Sequence, residues 1–263
     1  MQRSFWRSGH TPTLFASFLY FDLSFMVWYL LGPLQVPIAQ ALGLDTQQRA
    51  LMVAVPILCG AVLRLVLGML ADRIGAKRAG VVAQLAVIAS LFGAWQLGVH
   101  SMGQVLLLGV LLGIAGASFA VALPLASRWY PPEHQGTAMG IAGAGNSGTV
   151  LAALFAPMLA LAFGYQNVFG LACIPLVLTL IVFVLIAREA PIPVARKRWA
   201  DYGRVLVGNR DAWRFMFFYS VTFGGFSGFA SALPGYFHDQ FGFDARTAGW
   251  ATAACVLAGS VMR

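Results

Sequence analysis

The chain has 263 residues, 59% of them hydrophobic and 10% charged, with a mean hydropathy of +0.77 and a formal net charge of +8. This composition lies outside the range of soluble globular domains and puts the chain in a lipid bilayer. The positive charge is dispersed over loops instead of collected on one face, which excludes a nucleic-acid-binding surface.

Apolar stretches of about 20 residues are long enough to cross about 30 Å of hydrocarbon. Eight of them are predicted, over residues 13–38, 47–71, 79–98, 103–127, 137–163, 166–187, 212–237 and 245–263. The first is too long for a cleavable signal peptide and has no small-residue cleavage site, so it is expected to be an integral span. It carries Asp22, the one carboxylate well inside a span, and the second span carries Arg64. Between the second and third stands the loop "GMLADRIGAKR", Gly68 to Arg78.

The fifth span contains Gly143-Ala-Gly145-Asn146-Ser147-Gly148, which spells the dinucleotide fingerprint. A nucleotide site would need a strand before it and an acid about 20 residues after it. The loop "SRWYPPEHQG" precedes it, and the first carboxylate after Glu133 is Glu189, so no nucleotide cofactor is expected. Within a helix, Gly136, Gly140, Ala144, Gly148, Ala152 and Ala156 recur every four residues as a stripe that admits a neighbouring backbone. Packing does not account for Asn146, an amide at membrane depth that needs a partner or a ligand.

Basic residues crowd alternate loops: Arg3 and Arg7, then Arg73, Lys77 and Arg78, then Arg128, then Arg188 through Arg214. The other side has only Arg49 and Arg246. By the positive-inside bias the N-terminus is cytoplasmic and the protein a multi-pass component of the cell's inner, cytoplasmic membrane. Residues 189–210 then form a cytoplasmic linker between an N-terminal six-helix half, 1–188, and the start of a second half, 211–263. Cys59, Cys173 and Cys255 lack metal-ligand spacing and are expected as small core residues, with no metal site.

Superimposing Leu42–Arg64 on Phe241–Arg263 brings Gly43 onto Gly242, Asp45 onto Asp244, Gly60 onto Gly259 and Arg64 onto Arg263, with Tyr20 on Tyr219 upstream. Arginine is rare in membrane helices, and two in register signal a parallel internal repeat. A guanidinium keeps its proton and offers a planar fork of donors suited to an oxyanion. The structural alternative is an Arg64–Asp22 ion pair, but Val221 stands opposite Asp22 across the repeat.

The repeat and the loop resemble the major facilitator superfamily, whose loop motif is matched by Gly68, Asp72, Arg73, Gly75, Lys77 and Arg78. In that family Asp72 and Arg73 would mediate a charge-paired latch at the cytoplasmic gate. The resemblance implies an all-α integral membrane fold with twelve helices. The chain supplies a six-helix bundle and the first two helices of the second, so truncation after helix 8 is expected.

Gly140, Gly143, Gly145, Asn146 and Gly148, with "FLYFDLSFMVWYLLGPL" and "YSVTFGGFSGF", are similar to the nitrate/nitrite porter family. That resemblance implies a secondary active transporter and no enzyme. Arg64 and Arg263 would grip nitrate or nitrite, Asn146 would offer its amide beside Gly143 and Gly145, Phe119 and Phe223 would sandwich the ion, and Tyr219 would donate a hydrogen bond. Asp22 is expected to couple transport to protons, and no cofactor is implied. A nitrate/nitrite antiporter, a porter of another small anion and a non-transporting fragment are the alternatives. A monomer is the expected state.

Overall fold

The computed structural model describes residues 4–191, 203–204 and 207–261. Every regular element among them is helical. After a single turn, α1 (Phe5–Ser8), helix α2 (Thr11–Trp28) begins with Pro12 in its first turn and the His10 ring accepting from the Thr13 amide. The predicted span over 13–38 is broken: Tyr29–Leu34 form turns, and α3 (Gln35–Leu42) follows. Pro33 offers no amide to the helix ladder, and Gly32 lies against the Ser231 backbone, where a side chain would collide.

Helix α4 (Thr46–Ile74) starts with a reciprocal capping box between Asp45 and Gln48 and contains Pro56. It ends at Gly75, whose φ of +95° favours glycine. Helices α5 (Ala76–Leu97), α6 (Met102–Gly116) and α7 (Phe119–Ser127) follow, the last two forming one span interrupted at Ala117–Ser118. Then come α8 (Pro132–Gly143), a 3-10 turn (Ala144–Ser147), α9 (Gly148–Phe163) and α10 (Tyr165–Ile186). Two further helices are α11 (Arg210–Phe241) and α12 (Ala245–Val261).

Among the described residues six helical stretches are long and apolar enough to cross a membrane. The remaining two predicted spans correspond to α2 and α12, which are shorter at 18 and 17 residues. Helix α2 is the hub: it touches α6, α7, α8, the 3-10 turn, α9 and α10. Its neighbours meet in turn, α4 on α6, α5 on α10, and α12 on both α9 and α11. A buried polar chain runs from the Ser24 hydroxyl to Gln84 Oε1 (3.1 Å) and from Gln84 Nε2 to the Leu176 carbonyl (3.4 Å), tying α2, α5 and α10.

The small-residue stripe does not run straight. Gly148, Ala152 and Ala156 are buried, but Gly136, Gly140 and Ala144 are exposed, and α8 buries Ala138 and Ala142 instead. The 3-10 turn has about three residues per turn in place of 3.6, so it shifts the phase of the face between α8 and α9. Cys255, expected in a core, is exposed, whereas Cys173 is buried.

Candidate functional site

Arg64 sits on α4 two turns past Pro56, half-buried. Its Nη2 donates to the Gly116 carbonyl at 3.0 Å and its Nη1 to the Tyr219 hydroxyl at 3.5 Å. Three aromatic rings surround the guanidinium carbon, Phe119 at 5.0 Å, Phe223 at 5.1 Å and Trp28 at 6.0 Å from their centroids. Tyr219 and Phe223 stack at 5.1 Å and 9°, and Phe119 tilts toward Tyr219 at 6.1 Å. Helices α4, α7 and α11 thus bring Arg64, Phe119, Tyr219 and Phe223 together. Phe223 is 6% exposed and Tyr219 37%.

No carboxylate among the described residues pairs with Arg64, and its buried Nε has no hydrogen-bond partner among them. A membrane-embedded arginine costs about 2.5–3.5 kcal/mol on insertion scales, and each ring face returns about 0.5–2 kcal/mol. The rings hold the cation in place without neutralising it, and an anion can do that. Arg263, its expected counterpart, lies outside the described residues.

Asp22 does not pair with Arg64. At 6% exposure it accepts from the Ser147 hydroxyl at 2.7 Å. Asn146 belongs to this second group, on the 3-10 turn between α2 and α12; it is 7% exposed and its Oδ1 is buried with no partner among the described residues. Gly145 and Gly148 pack directly on α2, against Phe21 and the Asp22 backbone, while Gly143 faces open space. Gly145 therefore lets two helices meet, and the nitrate-site role expected of it sits beside a packing role.

In the loop motif Asp72 reaches Arg128 at 3.4 Å, linking α4 to the end of α7, a partner beyond the expected Asp72 and Arg73. Arg73 and Arg78 are exposed, and Gly68 lies opposite Ala120. The Lys77 amide donates to Glu189 at 2.6 Å and its ammonium to the Val184 carbonyl at 2.8 Å, so Glu189, close to Gly75, caps the start of α5. Sequence reasoning missed Trp28, Arg128, Ser147 and Glu189. Arg128 alone carried a signal, as the one basic residue of its short loop.

Long apolar helices packed around a partly buried cation define a multi-pass membrane protein. The model of the Major Facilitator Superfamily matches residues 16–263, and the chain belongs to that superfamily, a family of transporters and not of enzymes.

Among curated proteins the chain is 37% identical over 247 residues to the "Probable nitrate/nitrite transporter NarK2" of Mycobacterium tuberculosis, covering 88% of this chain and 60% of the relative. It is 30% identical to the "Nitrite extrusion protein" of Bacillus subtilis (91% and 60%) and 33% identical to the "Probable nitrate/nitrite antiporter NarK1" of Thermus thermophilus (98% and 60%). The chain thus spans about 60% of the length of these relatives. Among solved structures, a bacterial homolog of the human lysosomal transporter Spinster shares the fold with a TM-score of 0.71 at 20% identity, over 95% of this chain and 59% of that one. The xylose transporter XylE from E. coli follows at 0.58 and 15%, over 97% and 67%.

Proposed function

We propose that the protein carries nitrate or nitrite across the cytoplasmic membrane by alternating access. The observation that carries this reading is the Arg64 guanidinium, framed by three aromatic faces with no carboxylate to neutralise it among the described residues. A flat, weakly hydrated oxyanion is suited to such a slot, since it satisfies the fork and tolerates apolar walls. In this reading Arg64 and Arg263 grip the ion from two halves, residues 1–188 and 211–263, joined by a cytoplasmic linker. Phe119 and Phe223 wall it, Tyr219 donates to it, and Asn146 with Gly143 and Gly145 completes the cradle. The cytoplasmic N-terminus follows from the basic loops.

Asp22 is the proposed proton carrier, because it is a buried carboxylate in the central helix beside the site-forming elements. Nitrate/nitrite exchange is the second reading, favoured by the relatives named as a nitrite extrusion protein and an antiporter. Proteoliposomes carrying a pH dye decide between them. Uptake of nitrate that acidifies the lumen and is lost in Asp22→Asn supports proton coupling; uptake that requires internal nitrite and leaves the lumen pH unchanged supports exchange. Failure of nitrate and nitrite to bind in nanodiscs, with acetate binding instead, overturns the assignment of substrate.

A further inference from the structure

The proposed site needs Arg64 held in one orientation, and its own two hydrogen bonds, to a carbonyl and to a half-exposed tyrosine, do not pin a long flexible side chain from beneath. The residue beneath is Trp28, 2% exposed, at the last turn of α2. Its indole N–H donates to the Pro56 carbonyl at 2.7 Å, on the same helix as Arg64. A side chain at Gly60 would come within 2.7 Å of the indole, and one at Gly116 would overlap it, so both helices leave out a side chain where the ring lies. Gly116 also supplies the carbonyl that Arg64 grips. The upper face of the indole lies near-parallel to Phe223, at 6.5 Å and 17°, and its edges meet Phe25 and Tyr29 at 4.8 and 4.9 Å.

One ring therefore touches α4, α6 and α11, the three elements that present Arg64, its carbonyl partner and the Phe223 wall. A fully enclosed ring with its N–H satisfied keeps a single orientation, and a cation over it is drawn to the ring face. We propose that Trp28 is the positioning residue of the site: it sets the height of the Arg64 guanidinium and the depth of the slot between Phe119 and Phe223, and so the discrimination for a small flat anion. The identity of that anion rests on the reading above, whereas the positioning of Arg64 does not.

The test uses the chain in lipid nanodiscs, as wild type, Trp28→Phe, which keeps a ring but loses the N–H, and Trp28→Leu. Arginine modification by phenylglyoxal, mapped by mass spectrometry, reports on Arg64 directly, with Arg246 as the internal reference. Trp28→Leu is expected to raise the Arg64 rate at least about tenfold over Arg246 and Trp28→Phe by less. A change equal to that of Arg246, in variants that keep the wild-type elution profile, overturns the proposal, as does Gly60→Ala leaving the rate at the wild-type value.

Protection by nitrate against acetate forms the second arm. Wild type is expected to be protected by nitrate, and Trp28→Leu to lose most of the preference for nitrate over acetate. An unchanged preference overturns the proposal. Failure of nitrate to protect wild type sinks the nitrate reading alone, since the modification rates still judge Trp28.

Discussion

The Ser147 hydroxyl lies 2.7 Å from an Asp22 carboxylate oxygen and 2.9 Å from the Ala144 carbonyl, within hydrogen-bond reach of both. The bond crosses from the 3-10 turn to the central helix, so it joins the phase shift in the fifth span to the one acid buried in the first. Ser147→Ala leaves a buried acceptor short of a donor and is expected to destabilise the protein by about 1–3 kcal/mol. Because the two side chains act as a unit, Asp22→Asn in that background is expected to add far less than its own separate effect. A thermal double-mutant cycle in detergent checks this, and simple additivity would contradict it.

Gly148 presses on the Asp22 carbonyl closely enough that a methyl group would overlap the oxygen, whereas Gly140 faces open space. Gly148→Ala is expected to cost at least about 1–3 kcal/mol of stability by overpacking. Gly140→Ala is expected to be neutral or to stabilise by up to about 1 kcal/mol through helix propensity. The two thermal midpoints, compared side by side, decide whether the stripe is a packing device along its whole length.

Arg64 donates from two nitrogens and faces three rings, a pattern that a point charge cannot reproduce. Arg64→Lys is expected to weaken nitrate binding at least about tenfold, near 1.4 kcal/mol, with folding intact. Tyr219→Phe removes one donor and is expected to cost about 1 kcal/mol of affinity. Titration calorimetry in nanodiscs measures both, and full affinity in Arg64→Lys would remove the guanidinium from the site.

Arg49 on α4 forms a two-pronged ion pair with Asp239 on α11, at the opposite end of α4 from Asp72. The pair is partly exposed, so Arg49→Ala is expected to change stability by about 1 kcal/mol or less. Its larger effect is on motion, because α4 and α11 belong to different proposed halves. Bridging Arg49→Cys and Asp239→Cys with a bifunctional thiol reagent is expected to stop transport, which the same double variant retains when left uncross-linked.

At the start of α2, His10 Nδ1 accepts from the Thr13 amide (3.2 Å), and Thr13 Oγ1 accepts from the Arg188 amide (2.9 Å). Burial, and secondarily the Arg188 charge, hold the imidazole below its usual pKa of 6.5. A neutral ring is favoured on folding, so this contribution is complete above about pH 6.5 and is lost as pH falls through the lowered folded value. Amide exchange at Thr13 and Leu14, corrected for intrinsic rate, is expected to quicken between pH 7.5 and 5.5. His10→Asn, which accepts at either pH, is expected to abolish that difference.

Several of these residues could be read in advance and several could not. Arg64 stood out because a permanent cation in an apolar helix is costly and therefore scarce, and Asp22 for the same reason. Phe119 and Phe223 carry no such mark among the chain's many aromatics, and only the resemblance to a known family pointed to them; Tyr219 was marked besides by its register with Tyr20 across the repeat. Trp28 and Ser147 had no signal, because what makes them matter is a glycine on another helix in one case and a turn of altered pitch in the other.

Hydropathy and charge by themselves determined that this chain lies in a membrane, roughly which segments cross it and which loops are basic, since the price of placing polar or charged groups in hydrocarbon acts on each segment separately. Tertiary structure alone decided that Asp22 turns to Ser147 instead of Arg64, that Asp72 reaches Arg128, and that three rings from three helices close around one guanidinium. Those choices depend on the rotation of each helix about its own axis. That rotation is set by which side chains are missing at the contacts and by the 3-10 turn and proline breaks, and no single segment carries the information.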